Sequence, residues 1–330
     1  MKNISLTGIK PTGAPHLGNY LGSIKPALEL AKNSNIDAYY FIADYHSLTS
    51  VHSGTQLSSD IYDVAATWLA CGLDPDKVAI YKQSDIPEIL ELNWILSCFC
   101  AKGLMNRAHA YKAKVSENNN DGRDLDHGIN IGLYCYPVLM AADILILNSD
   151  VVPVGADQLQ HVEIARDLAN AFNHHYGEII KLPTAQERGD KLVVGLDGRK
   201  MSKSYNNTIP LLVSEKKLRK MIMKIVTDSL PPEAPKDPKN SAIMDLYRMF
   251  ASASEIKSLE NQYRKGIGWG VAKQELFEVI NREVSPFRQK YNFLMDNKNE
   301  IDRVLEEGAR KARALASKNL LLIKEKIGVK

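Results

Sequence analysis

Hydrophobic and polar positions follow two rhythms over the first two hundred residues. Short apolar-rich runs predict strands over Asn3 to Thr7, Ala38 to Ala43, Lys77 to Lys82, Val151 to Val154 and Leu192 to Gly195. Between them, Ser58 to Cys71 carries Ile61, Ala65, Trp68 and Leu69 on one helical face, with Gly72 placed to cap it. A further helix opens near Pro87 and turns Leu90, Trp94 and Ile95 inward, and another starts near Leu21. Strands alternating with helices predict the α/β class: a doubly wound, mostly parallel sheet with helices on its faces, taking its ligands outside the carboxyl ends of the strands. The stretch Val115 to His127, rich in Asn, Asp and Gly, predicts a mobile loop.

From about Asn206 the strand rhythm stops. A proline-rich connector, Leu230 to Pro238, leads into predicted helices over Ser241 to Ala251, Glu255 to Lys265, Val271 to Met295 and Asn297 to Lys326. The pattern divides the chain into an α/β unit, 1–205, and an all-helical unit, 206–330. The first can also receive the extreme C-terminal helix. That helix sets Ile301, Val304, Leu305, Ala309, Ala312 and Leu315 on one face, beside Arg303, Arg310, Lys311 and Arg313. A solvated face accounts for these charges, and so does a phosphate-binding one.

Composition narrows the picture only slightly. The 330 residues suffice for one large or two ordinary domains, and 45% hydrophobic with 25% charged content is ordinary for a soluble globular chain. A net charge of +3 does not identify a nucleic-acid binder, so any RNA contact must come from a local patch. Cys71, Cys98, Cys100 and Cys135 form no metal-binding spacing, and their sparseness fits a reducing cytoplasm. The N-terminus lacks a signal-peptide core, and no run of about 18 apolar residues could span a bilayer.

Four segments carry chemistry. Gly198 to Ser204 holds Arg199, Lys200 and Lys203 with Ser202 and Ser204 in a compact loop; such a loop can fold over a polyphosphate, although alone it also reads as a solvated turn. Pro11 to Tyr20 joins a strand to a helix start through Gly13, His16 and Gly18, the context in which backbone N–H groups meet phosphate. Tyr136 to Leu147 is apolar and helix-like but for Asp143, whose carboxylate needs a donor from the protein or from a ligand such as an indole N–H. Gly155-Ala156-Asp157-Gln158 turns between strand and helix, where a carboxylate can bind a ribose hydroxyl.

Lys200-Met201-Ser202-Lys203-Ser204 and His16-Leu17-Gly18-Asn19 resemble the KMSKS and HIGH motifs of class I aminoacyl-tRNA synthetases, in the family's order. With Met140-Ala141-Ala142-Asp143, Val152 to Asp167 and Val226 to Ser229, the chain resembles the bacterial-type tryptophanyl-tRNA synthetases. Tyrosyl-tRNA synthetases are the nearest relatives, and a tryptophan-binding paralogue without charging activity is a third reading. The resemblance implies a Rossmann-like catalytic domain, a helical domain receiving the tRNA anticodon, a cytoplasmic homodimer, and the substrates L-tryptophan, ATP with Mg2+, and tRNA(Trp).

By the same resemblance, ATP falls to Lys10, Pro11 and Thr12, to His16 over the phosphates, and to Gly18 and Asn19 at the nucleotide. Gly155, Ala156 and Asp157 take the ribose side, Leu192 the adenine edge, and Met201 and Ser204 belong with the loop. Catalysis falls to Lys200 and Lys203 on the leaving pyrophosphate, with Ser202 donating to phosphate and Lys114 approaching the triphosphate tail. Tryptophan falls to Asp143 on the indole N–H, Met140, Ile144 and Val154 on the rings, Gln158 and Tyr136 on the amino group, with Gly8 and His46 lining the pocket. The family's usual Gln before the first Pro is here Lys10, a departure that bears on substrate affinity.

Overall fold

A computed structural model describes residues 2–11, 13–187 and 192–329. Five parallel strands, β1 (Asn3–Ile9), β2 (Ile36–Ile42), β3 (Val78–Lys82), β4 (Val151–Val154) and β5 (Thr184–Glu187), lie in the order β3-β2-β1-β4-β5. Chain order reverses direction between β1 and β4. At that switch point the ladder holds one pair, Ser5 with Val151, and a crevice opens beyond it at the carboxyl ends.

Helices cover both faces. The helical segment α1 runs over 17–30 with a π-helical turn at Tyr20–Ile24, and α2 is Gly54–Ala70, ending before Gly72 at φ +106°. Next come α3 (Glu88–Ser97), α4 (His109–Asn120), α5 (Ile131–Ile146) and α6 (Leu159–Tyr176). The later helices are α7 (Glu215–Ile222), α8 (Ala242–Phe250), α9 (Ala253–Lys265), α10 (Trp269–Asp296) and α11 (Lys298–Ile327). Those four last helices match the sequence pattern within two residues at each end.

The final helix returns to the sheet and straddles its edge. Ile301, Val304 and Leu305 join the core on one face, while Ala309, Ala312, Ala316, Leu320 and Ile323 join the core on the other. Gly308 marks the crossing, because a Cβ there would stand 1.8 Å from the Ile80 carbonyl oxygen. Helix α11 thereby covers edge strand β3, whose unpaired backbone would otherwise be exposed. Its basic residues are largely engaged: Arg313 bonds Glu88 at 3.1 Å, Lys311 donates to the Pro75 carbonyl at 3.2 Å, and Arg303 and Arg310 pair with Glu300 and Glu307.

Three expectations change. Leu192 to Gly195 forms no strand: Val193 and Val194 are buried in a hairpin closed by Met201 N–H donating to Val193 O and Gly195 N–H to Arg199 O. The fifth strand is instead the largely polar Thr184–Glu187, an exposed edge without an apolar signature. Helix α3 buries Ile89, Leu92, Ile95 and Leu96, leaving Leu90 exposed and Trp94 at 72% exposure, so its inward face is rotated from the expected one. Val115 to Asn120 is helical, not loop. Fully buried Asn118 donates to the carbonyls of Leu125 and His127, folding the following turn back onto α4 and offsetting the polar composition.

Candidate active site

A cavity of about 400 Å³ occupies the β1–β4 crevice. Strand periodicity builds one wall: Leu6, Gly8 and Lys10 fall on the same side of β1 and its extension, as do Val152 and Val154 on β4. Helix α5 builds another from Leu133, Tyr136, Met140 and Ile144, at helical spacing. Gly8 is required by its neighbour, since a Cβ there would meet the Phe41 ring at 2.8 Å. The lining is mostly aliphatic and aromatic. Lys10, His46, Thr49, Tyr136 and Gln158 supply the polar groups, a combination suited to a flat apolar ring bearing a zwitterionic head.

Behind this lining sits Asp143, 1% exposed. His46 Nε2 lies 2.9 Å from its Oδ2, and Gln83 Nε2 donates to Oδ1 and Oδ2 at 2.8 and 3.0 Å. Burial raises the carboxyl pKa, and the bonds from His46 and Gln83 oppose that shift. On the opposite side, the Tyr136 hydroxyl stands 2.5 Å from Nε2 of buried His161, whose Nδ1 meets no partner among the described residues. Burial, reinforced by His109, holds the His161 imidazole down to about 4, so the ring is neutral at pH 7; burial likewise pushes the Tyr136 phenol up to about 12.

The turn after β1 and the 198–204 loop lie together. His16 caps α1 reciprocally: its Nδ1 accepts from Asn19 N–H at 3.3 Å and the Asn19 side chain accepts from His16 N–H at 3.1 Å. Burial, then the nearby Lys203 charge, lowers the His16 pKa to about 4. Its neutral Nδ1 is therefore available as the cap's acceptor. The loop docks through Met201, 5% exposed, whose sulfur lies 3.3 Å from Gly18 N. The loop is organised by buried Asn207. Its Oδ1 accepts from Ser202 N–H at 2.8 Å, and its Nδ2 donates to Asp197 and to the Lys200 carbonyl at 2.7 and 3.1 Å. The Asn207 bond, with Arg199 beside it, holds the Asp197 carboxyl down to about 2.

The family description "tRNA synthetases class I (W and Y)" matches residues 2–285. The chain belongs to this family. Tryptophan–tRNA ligase of Neisseria meningitidis is 48% identical over 327 residues, covering 98% of this chain and 97% of the relative. Campylobacter jejuni tryptophanyl-tRNA synthetase, solved with ADP and tryptophan, is 44% identical with a TM-score of 0.91, covering 98% of this chain and 99% of that one. The Mycoplasma pneumoniae tryptophanyl-tRNA synthetase is 29% identical with a TM-score of 0.79 over 100% of this chain and 99% of its own.

Within this synthetase fold, residues expected at the tryptophan site converge on one cavity: Gly8, His46, Tyr136, Met140, Ile144, Val154 and Gln158 line it, joined by Lys10. Asp143 stands one layer back. Gly155, Ala156 and Asp157 follow β4 on a short helical turn, with Asp157 accepting from Gln158 Nε2 at 2.9 Å. Pro11 is buried after β1, whereas Thr12 lies outside the described residues. Leu192 is 61% exposed and lines no part of the cavity. Lys114 sits one turn past the lining residue Ala110 and pairs with Glu117 at 3.0 Å.

Sequence reasoning missed Phe41, Thr49, Gln83, His161 and Asn207. For Leu6 the signal was available, since period two from Gly8 marks the same strand face. Phe41 comes from β2 and Gln83 from the turn directly after β3, far from their partners in sequence; Thr49, His161 and Asn207 lie within three residues of expected site residues but carry no pattern that marks them.

Proposed function

We propose that this protein activates L-tryptophan with ATP to tryptophanyl-adenylate and transfers the aminoacyl group to tRNA(Trp). The observation that carries this reading is the 48% near-full-length identity to a tryptophan–tRNA ligase, set on a chain whose apolar cavity adjoins a docked 198–204 loop. In the first step a tryptophan carboxylate oxygen forms a bond to the α-phosphorus, and the bond from that phosphorus to the bridging oxygen breaks, releasing pyrophosphate. No strong base is needed, because the attacking carboxylate is already ionised at pH 7. The obstacle is repulsion between anions, and catalysis comes from positioning and from cations directed at the developing charge.

In this reading Lys203 and Lys200 stabilise the departing pyrophosphate, and Ser202 and Ser204 hold the loop and donate to phosphate. Magnesium arrives with the ATP phosphates. His16, Gly18 and Asn19 receive the nucleotide with Pro11 and Thr12, and Gly155 to Asp157 receive the ribose. The indole enters between Met140, Ile144 and Val154 with its N–H toward Asp143, while Tyr136 and Gln158 accept from the ammonium. Lys10 faces the carboxylate or the α-phosphate as a full charge. In the second step a ribose hydroxyl of the terminal tRNA adenosine attacks the acyl carbon and AMP leaves.

The division into a catalytic unit, 1–205, and a tRNA-reading helical unit, 206–330, belongs to the same reading, with α11 returning to brace the catalytic sheet. A cytoplasmic homodimer belongs to it as well, and the exposed Trp94 and Leu90 on α3 supply apolar surface for a second copy. Among the described residues no helix is long and apolar enough to cross a membrane.

Pyrophosphate exchange into ATP tests the proposal, run separately with tryptophan, tyrosine and phenylalanine. Exchange with tryptophan alone, followed by charging of tRNA(Trp), is the expected result. Exchange with tyrosine alone would reassign the specificity, and no exchange by folded protein would refute adenylate formation.

A further inference from the structure

Gln83 is fully buried, follows the last residue of β3, and lines no part of the cavity. Its amide nevertheless contacts both oxygens of Asp143. The orientation of that amide is dictated by its partners. Its Oε1 faces the His46 backbone N–H at 3.4 Å, a group that can only donate, while its Nε2 faces a carboxylate. One side chain thus steadies the carboxylate and the start of the turn that carries His46, the second donor to Asp143.

We propose that Gln83 is a positioning residue that sets specificity for the indole nitrogen, by fixing the Asp143 carboxylate through both of its oxygens so that one acceptor site is left for a donor entering from the cavity. This rests on reading Asp143 as the indole acceptor. A carboxylate has about four lone-pair sites. Gln83 Nε2 spans both oxygens and His46 takes a second site on Oδ2, leaving capacity for one further donor. A neutral amide suits this role better than a cation. It stabilises the ionised carboxylate against burial yet leaves its negative charge largely uncompensated, and the incoming indole N–H is itself a neutral donor. Without the amide, burial favours the protonated acid, a poorer acceptor free to turn away.

The expected signature separates positioning from general loosening of the pocket. The probe is β-(3-benzothienyl)alanine, which replaces the indole N–H by sulfur and has nothing to offer Asp143. With Gln83→Met, KM for tryptophan in pyrophosphate exchange should rise about 10- to 100-fold, the range for losing a hydrogen bond to a charged group. The inhibition constant of the sulfur analogue and KM for ATP should change less than about threefold, since neither uses the acceptor. Asp143→Asn is the benchmark and should lose the same discrimination.

Equal losses for tryptophan and analogue in Gln83→Met would overturn the inference. So would unchanged discrimination in Gln83→Met beside lost discrimination in Asp143→Asn. Retained discrimination in Asp143→Asn would instead remove the acceptor reading itself, an outcome visible in a different variant. Should Gln83→Met fail to fold, Gln83→Leu removes the donor with a side chain of smaller volume. The same selective loss against tryptophan is expected there, and its absence counts against the proposal.

Discussion

The apolar cavity and the 198–204 loop, which the proposed function joins in one site, are built on opposite principles. The cavity is made from strand and helix residues whose positions follow from backbone periodicity, and Asp143, one layer behind its lining, is held by side chains from two other segments. The loop has one apolar anchor, Met201, and is otherwise held by polar contacts of which Asn207 makes three. Recognition of a flat ring by size and by one N–H needs walls that do not yield. In the proposed reading, a polyphosphate that arrives, breaks and leaves is met by cations on a loop held mainly by polar contacts. On that reading, ring recognition falls to regular secondary structure and charge stabilisation to a loop tied by side-chain hydrogen bonds.

The largest effect is expected at the loop. Lys203→Ala should lower kcat for exchange by about 10²- to 10³-fold, as removal of a group aimed at developing charge does, with KM for tryptophan nearly unchanged. A comparable rise in KM for tryptophan would show that loop and cavity are one recognition unit.

The scaffold is tested at the helix crossing. Gly308→Ala places a methyl group 1.8 Å from the Ile80 carbonyl oxygen, so α11 must lift from β3. The expected cost is about 3 kcal/mol, typical of severe overpacking, read as a lower urea midpoint. Because β3 leads directly into Gln83, KM for tryptophan should rise more than KM for ATP.

A smaller effect is expected from Asn207→Ala, which removes three loop contacts while leaving every lysine in place. It should reduce kcat/KM for ATP by about 10- to 100-fold, corresponding to roughly 1–3 kcal/mol of lost loop organisation, with little change in tryptophan binding measured by fluorescence quenching.

The mildest test is by pH. The His161 imidazole titrates near 4 in the folded protein against 6.5 for the free side chain. Between those values the unfolded chain binds more protons, so this group's contribution to stability is complete above pH 6.5 and is lost as pH falls through 4. His161→Phe should flatten that acid limb in denaturant titrations. Freed from its 2.5 Å partner, Tyr136 should also bind tryptophan more weakly, with the analogue indole-3-propionate, which lacks the ammonium, unaffected.

Local patterns were readable from the residues alone. β1 to β4 were legible because apolar runs of strand length are a nearest-neighbour property, and the C-terminal helices because a buried stripe recurs every three or four residues. The His16 and Lys200–Ser204 motifs were legible because their chemistry is packed into a few adjacent positions. Long-range packing set the remainder. Thr184–Glu187 is a strand because β4 offers it a partner, and its largely exposed side chains leave no apolar trace. Trp94 faces outward because α3 turns Ile89 and Leu92 inward instead. Gln83 and His161 meet the site's polar groups from 60 and 25 residues away along the chain. Burial of a carboxylate demands donors, but nothing local says which segment will supply them; that depends on which strand ends and helix faces the fold brings within hydrogen-bonding distance.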